Sequence, residues 1–502
     1  MIRRRAWWGL GSVIGLGLLL SAVASRSDPP TLDAALMAWL RDVAGDRASG
    51  RGLVSDGHHF AVQRLEAAAM SLGLRPVEGR SARATLPLVR LGVGDGTALQ
   101  PAAASGPGAS RRIQRAGIDI IPLYPAAWGY PATLDVRAGS TPVVFAGRLG
   151  DSAAVQPLPG PRRIVLVEPP LRPDGLTEYD IHAYAHLLEP LTWAFAIGIV
   201  AADLMPAAAI ARAIAPRYEL TGATSVTGLP PVFLITDKGA KVALSGMGAR
   251  ADVRVHIRED RVSRPPRNLM FLLEGHDPRR KDEVVILSAP SDHIGTRAVP
   301  GGETAVYPGA DDGGSGAVAL LGVARLLSDP ASRPARSVLF VWHAGTEHAL
   351  LGSEWFLRHP AVPRDRIVAA LNVERLARGG DTLFAVGARR LVSPLGNWVR
   401  SYAESTQQIV DWSWDAPRHI AQRDCRSDHV NYARAGIPAL TINSGVHEDW
   451  RQPTDVVERI DAARYAARVR WMAGLVRAVA DQPTRPQPAE RVTPSVDRRC
   501  EQ

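Results

Sequence analysis

Five short stretches place acidic or polar side chains directly behind apolar runs. They are 284–295, with Pro290, Asp292 and His293, and 309–316, reading Gly-Ala-Asp-Asp-Gly-Gly-Ser-Gly around Asp311 and Asp312. The others are 342–353, with Thr346, Glu347 and His348, then 370–374, ending in Glu374, and 449–455, with Trp450 and Arg451. Acidic and polar groups directly behind strands are what α/β sheets use to build their sites. Taken singly, each stretch has a plainer reading. Asp311-Asp312 before glycines suits a turn and a helix start, where carboxylates oppose the helix dipole. Glu347 suits a solvated helix start and Glu374 a charged strand end. His343 and His429 suit packed or surface histidines.

Such side chains need strands to deliver them. Apolar runs predict strands at 269–273, 284–289 and 338–342. A helix is predicted over 315–327, behind a glycine-rich turn. Another is predicted over 462–480, with Tyr465, Val469, Met472, Val476 and Val479 on one face. Strand–helix alternation with nearly continuous apolar strands predicts an α/β domain: a mixed central sheet with helices on both faces. Ser55 can cap a helix through about Ser71, which Gly73 and Pro76 end.

Between 119 and 263 the texture changes to short apolar strands at 142–146, 164–167 and 231–235. An Ala-rich helical segment near 182–196 leads into a strand at 197–202. The patch 191–210 contains Asp203 and Pro206, which suits a buried passage better than a membrane span. The expected organisation is a leader at 1–24, the start of the main domain at 25–118, a smaller β-rich insert at 119–263, the rest of the main domain at 264–480, and a disordered tail at 481–502.

The 502 residues are 46% hydrophobic and 22% charged, which excludes wholesale disorder. Mean hydropathy of −0.05 excludes a polytopic membrane protein. Two cysteines, Cys425 and Cys500, exclude a disulfide scaffold or a Cys-rich zinc module; the sequence leaves their pairing open. The net charge of +9 is carried by scattered arginines with no basic stripe, so nucleic acid is not an expected partner. Arg3–Arg5, an apolar run to Ala24 and the small residues Ala22 and Ala24 form the parts of an export signal. The alternative is an uncleaved anchor, because about 18–19 apolar residues can just span a bilayer. Both place the body outside the cytoplasm, periplasmic or secreted.

Together and in this order, the five stretches resemble metallopeptidase family twenty-eight, the di-zinc aminopeptidases. Its members include bacterial leucyl aminopeptidases, glutamate carboxypeptidase II, glutaminyl cyclase and the transferrin receptor ectodomain. Gly-Ala-Asp-Asp-x-x-Ser-Gly at 309–316 and Leu-Leu-Gly-Ser at 350–353 carry the resemblance most specifically. It implies a protease-associated insert over 119–263. It also implies two zinc ions held by two histidines and three carboxylates, with a further glutamate as general base. The bridging aspartate maps onto Asp311, the second carboxylate onto Glu347 and the third onto Glu374. Asp292 maps onto the aspartate behind the first histidine, with Asp312 and Trp450 in the same cleft.

The remaining positions depart from that pattern. The first ligand histidine falls on Pro290, which has no donor atom. The general base falls on Thr346, whose hydroxyl takes no proton at neutral pH. The last ligand histidine falls on Arg451, which stays protonated. His293, His348 and His447 are the neighbours that a rearranged site would use, although His343-x-x-x-Glu347-His348 lacks the spacing of a helical zinc motif. The expectation is an exported peptidase-fold protein with a degenerate centre, binding no metal or one weakly, and acting by peptide or protein binding. Arg451 is expected to offset the repulsion among Asp311, Glu347 and Glu374. The alternative is an active metal-dependent aminopeptidase with altered metals, an oxygen-rich cluster suiting Ca²⁺, Mg²⁺ or Mn²⁺. A third reading is hydrolysis of a non-peptide amide.

Overall fold

The computed structural model describes residues 30–93, 97–101, 114–115, 120–123, 135–151, 162–171, 185–205, 217–221, 230–245, 249–298, 303–387, 394–415 and 426–486. Contacts divide the chain into a unit up to Thr31 and a unit from Leu32, which holds both sheets. The expected leader, both cysteines and the tail beyond 486 lie outside the described residues. Among the described residues no helix is long and apolar enough to cross a membrane.

Val284–Pro290, Ser337–His343 and Ile367–Val373 are buried at every position. A strand without a polar face is satisfied only inside a sheet covered on both sides. These three lie side by side and parallel, with Ile286 opposite Leu339 on one flank and Ala370 on the other. Ala439–Asn443 adds in parallel to Ile367–Val373, and Arg267–Leu273 adds antiparallel to Ser337–His343. Among the described residues this sheet has eight strands. Their order is Arg83–Thr85, Arg267–Leu273, Ser337–His343, Val284–Pro290, Ile367–Val373, Ala439–Asn443, Leu383–Val386, Val410–Asp411. The mixed α/β class is the one the alternation predicts.

Alternate strand residues face opposite ways, which divides the core into two layers. Val285, Leu287, Phe340 and Leu371 pack with helices Leu32–Ala44, Gly316–Leu327 and Ala462–Ala480. Ile286, Leu339 and Ala370 pack on the other face with Phe356 and Tyr432, from helices Leu351–Arg358 and His429–Arg434. Ser55 caps its helix where the sequence places it, accepting the His58 N–H, and Asp461 adds a cap by accepting the Arg464 N–H. Gly322 lets two helices close up, since a Cβ there would meet Val469 at 2.6 Å.

A second sheet, ten-stranded among the described residues, is built from strands between Leu88 and Arg261. Asp135–Arg148 and Arg250–Arg261 form its long antiparallel pair, and Ile164–Glu168, Ala196–Val200 and Val232–Ile235 extend it in parallel. It starts earlier than the expected 119. Leu88–Val93 and Ala98–Pro101 already pair with Arg250–Arg261, which is long enough to take both. Of the helix expected over 182–196, the described residues carry Ala185–Leu188 and one further turn, Glu189–Leu191, where Pro190 has no N–H to continue the ladder. Leu86, Leu88, Leu220 and Tyr218 pack against Leu53, Ala344 and Leu351 of the main domain, which brings this sheet beside the 345–348 loop.

Candidate metal centre

Four parallel strands end on one edge of the central sheet, where α/β folds build their sites. From that edge leave Asp292 and His293, then 345–347, then Glu374 and Arg375, and then the loop carrying His447, Trp450 and Arg451. A turn at Ala310–Ser315 faces them, bent by Gly309 (φ 60°) and Gly313 (φ 81°). Asp455 holds the turn, accepting the N–H groups of Asp311 at 3.1 Å and Asp312 at 2.9 Å. Arg51 holds it from beneath, donating to the carbonyls of Pro308 at 2.8 Å and Gly309 at 2.9 Å. Burial lowers the pKa of this guanidinium to about 10.

The resemblance puts the bridging carboxylate on Asp311; in the structure its neighbour Asp312 also lies beside the other carboxylates of the cleft. Oδ1 of Asp311 accepts from the N–H groups of Leu376 (3.2 Å), Ala377 (2.7 Å) and Arg378 (3.2 Å) and from the Ser315 hydroxyl (2.8 Å). The side chain is therefore turned back under its own loop, with Oδ2 facing His447 Nε2 at 3.2 Å. Burial raises the Asp311 pKa, but His447 and these donors outweigh it and hold the carboxyl below its ordinary value. Asp312 faces the opposite way. Its Oδ1 lies 3.2 Å from Arg375 Nη1 and its Oδ2 lies 4.0 Å from His293 Nδ1.

Each of the other two carboxylates also meets an arginine. Glu374 Oε2 is 3.3 Å from the same Arg375 Nη1. Burial still raises the Glu374 pKa, with Arg375 opposing. Arg451 Nη2 donates to Glu347 Oε2. Burial pushes Glu347 up, but Arg451 and His293 outweigh it and hold the carboxyl well below the usual range. The other oxygen, Oε1, lies 3.5 Å from His293 Nδ1. Both guanidinium carbons stand 5.8 Å from the ring centre of Trp450, within cation–π range.

Pro290 ends its strand opposite His343 and adds no donor. Asp292 accepts the N–H groups of Gly345, Thr346 and Glu347 at 2.9, 3.0 and 3.3 Å. Burial and the Glu347 charge raise its pKa to about 7. The Thr346 hydroxyl donates to Asp428 Oδ2 at 2.6 Å, and burial raises the Asp428 pKa. His343 bonds the Tyr432 hydroxyl at 2.8 Å, His429 is buried beside Gly387, and His348 stands edge-on to Tyr218. Sequence reasoning missed Arg375 and Asp428, and gave Asp455, the last residue of the 449–455 stretch, no role of its own. Arg375 had a signal, since it directly follows Glu374.

Residues 268–476 match the model of Peptidase family M28. Over that segment the chain is similar to peptidase family M28. It is 27% identical over 214 residues to a probable leucine aminopeptidase of Trichophyton verrucosum (strain HKI 0517), covering 40% of this chain and 56% of that protein. It is 40% identical over 176 residues to leucine aminopeptidase 1 of Arthroderma otae (strain ATCC MYA-4605 / CBS 113480), covering 33% and 45%. The chain spans about half the length of the curated relatives it matches. The fold is that of the aminopeptidase from Aneurinibacillus sp. strain AM-1 (TM-score 0.54, 15% identity, 92% and 95% coverage). It is also that of BSAP, a zinc aminopeptidase from Bacillus subtilis (TM-score 0.53, 16% identity, 93% and 100% coverage).

The residues present do not fit a pair of zinc ions. Pro290 offers no donor, and two guanidiniums lie on three carboxylates, so two dications would share the space with two fixed cations. One narrower group remains: His293, Asp312 and Glu347 offer donor atoms within 4.8 Å of one another.

Proposed function

We propose that this family M28 chain is an exported peptidase-like protein that binds peptide or protein ligands in its cleft without cleaving them. The observation that carries this reading is the pairing of Arg451 with Glu347, at the position of a lost ligand. Arg375 between Asp312 and Glu374 supports it. Thr346 stands at the base position with its hydroxyl directed to Asp428. Amide hydrolysis by this fold needs an activated water and a group to take its proton. The chain has threonine for the second and arginines around the first. We read the ten-stranded sheet as a protease-associated-like insert, and 1–24 as an export signal cleaved near Ser25 or retained as an anchor.

The test is elemental mass spectrometry of the full chain purified with zinc present, beside turnover of an aminoacyl-nitroanilide panel and binding of a labelled peptide library. The reading expects fewer than two zinc ions per chain, no turnover and saturable peptide binding. Two tightly held zinc ions with hydrolysis would overturn it.

A second reading is an active metal-dependent aminopeptidase with an altered metal site. The grouping of His293, Asp312 and Glu347 and the names of the curated relatives favour it. It expects metal-stimulated nitroanilide hydrolysis that disappears in Glu347→Gln.

A further inference from the structure

We propose that the outer edge of Thr304–Tyr307 is a docking edge, to which an extended peptide adds as a third strand with its N-terminal end toward the cleft. The proposal rests on the reading that the cleft binds peptides, and it says how such a ligand is held beyond the cleft. The partner it fits is a free N-terminal stretch of about six residues, uncharged and rich in β-branched side chains.

Gly295–Ala298 and Thr304–Tyr307 form a two-stranded antiparallel ribbon, with Thr296 opposite Val306 and Arg297 opposite Ala305. Both feet of the ribbon stand in the cleft. The first strand follows Asp292 and His293, and the second runs through Pro308 and Gly309 into the turn carrying Asp311 and Asp312. The 50–52 segment pins both feet. A Cβ on Gly50 would lie 2.4 Å from the Tyr307 carbonyl oxygen and 2.5 Å from that of Gly295, and Gly52 bridges His293. Among the described residues, Thr304–Tyr307 has no ladder partner on its other side.

The chemistry of this edge suits an added strand. Native edges are usually blunted by lysine, proline or a bulge. Thr-Ala-Val-Tyr at 304–307 holds no charge and no proline, and its register with 295–298 runs without a bulge. A two-stranded ribbon is marginal alone in water and gains from a third strand. Burial alternates, with Thr304 and Val306 exposed and Ala305 and Tyr307 half-buried, so one face of the strand is open. Val306 is 41% exposed, an apolar side chain for a β-branched residue of the added strand to cover. Antiparallel addition is the more stable pairing. Thr304–Tyr307 runs toward the cleft, so an antiparallel partner starts there and runs outward. Four residues at about 3.4 Å each cover the edge, and about two more reach the cleft.

The experiment uses the full chain and a hexapeptide alternating leucine or valine with threonine, labelled at its C-terminus. Fluorescence anisotropy reads binding, and hydrogen–deuterium exchange reads the ribbon. A series of the same peptide, N-methylated at one amide each, reads the ladder, because only alternate residues turn their N–H toward a neighbouring strand. The expected result is saturable binding with exchange over 304–307 slowed about tenfold. Binding should weaken about tenfold on N-methylation at alternate positions and little at those between. No variant of the chain is needed, so misfolding cannot mimic the result. Saturable binding with unchanged exchange over 304–307, or with no alternation along the N-methyl series, would overturn the docking edge and leave the cleft reading standing. Cleavage of the hexapeptide with the ribbon protected would overturn the non-cleaving reading alone. No saturable binding would overturn both.

Discussion

Arg375 Nη1 lies 3.2 Å from Asp312 Oδ1, and the same nitrogen lies 3.3 Å from Glu374. A single buried guanidinium therefore ties Glu374, one of the three retained carboxylates, to Asp312, the neighbour of another. Asp312 and Glu374 raise the arginine's pKa against a burial cost that lowers it, so the charge is fixed. Restoring the family residues elsewhere does not remove it. The triple variant Pro290→His, Thr346→Glu, Arg451→His should stay short of two zinc ions per chain. Adding Arg375→Gln should raise the zinc content, and elemental analysis of both variants checks this.

Arg451 adopts φ 59°, in the left-handed region that costs a side chain roughly 1–2 kcal/mol. Arg451→Ala keeps that strain and strips Glu347 of its cation. It should cost about 1–3 kcal/mol, reduced from the fully buried case because the arginine is partly exposed. Arg451→Gly loses the same ion pair but relieves the strain, and should be more stable than Arg451→Ala by about 1 kcal/mol. Urea denaturation of the two variants separates the terms.

Thr346 satisfies one oxygen of the buried Asp428 carboxylate. Thr346→Val should cost about 1–3 kcal/mol by leaving that acceptor unpaired, and Thr346→Ser should restore most of it. Thr346→Glu sets a second carboxylate against Asp428. Its melting temperature should therefore fall more at pH 8 than at pH 5, where one of the pair takes a proton.

His58 and His343 are fully buried, and burial lowers both pKa values to about 3. Both stay neutral in the folded chain over a range where the unfolded chain is protonated. Stability is complete above the ordinary histidine value and is lost as pH falls from about 6.5 toward 3, by roughly 5 kcal/mol per histidine at the limit. Unfolding free energies measured between pH 7 and pH 4 should fall steeply, and His58→Gln should flatten part of the slope.

Much of the frame is legible because its signals are local. The strand at Val284–Pro290 is one uninterrupted apolar run, and the helix Ala462–Ala480 has its face and its Asp461 cap within a few residues. The choice between Asp311 and Asp312 is not local. Neighbouring carboxylates are chemically identical, and only the loop at 376–378 decides which one turns inward. Arg375 was hidden for a related reason, since an arginine after a strand is ordinarily solvated and only the fold closes the space around it. The early start of the second sheet depends on Arg250–Arg261, more than 150 residues from Leu88–Val93 in sequence.

The turn carrying Asp312 is clamped from both ends of the chain: Arg51 grips Gly309 across 258 positions, and Asp455 grips Asp311 across 144. During synthesis, the turn therefore has no finished geometry until residue 455 has emerged from the ribosome. A nascent chain that has passed Glu374 but not Asp455 carries the carboxylates without the scaffold that aims them. The cleft is thus assembled late, after residue 455, and a chain stalled between 374 and 455 holds its acidic loops without the contacts that aim them.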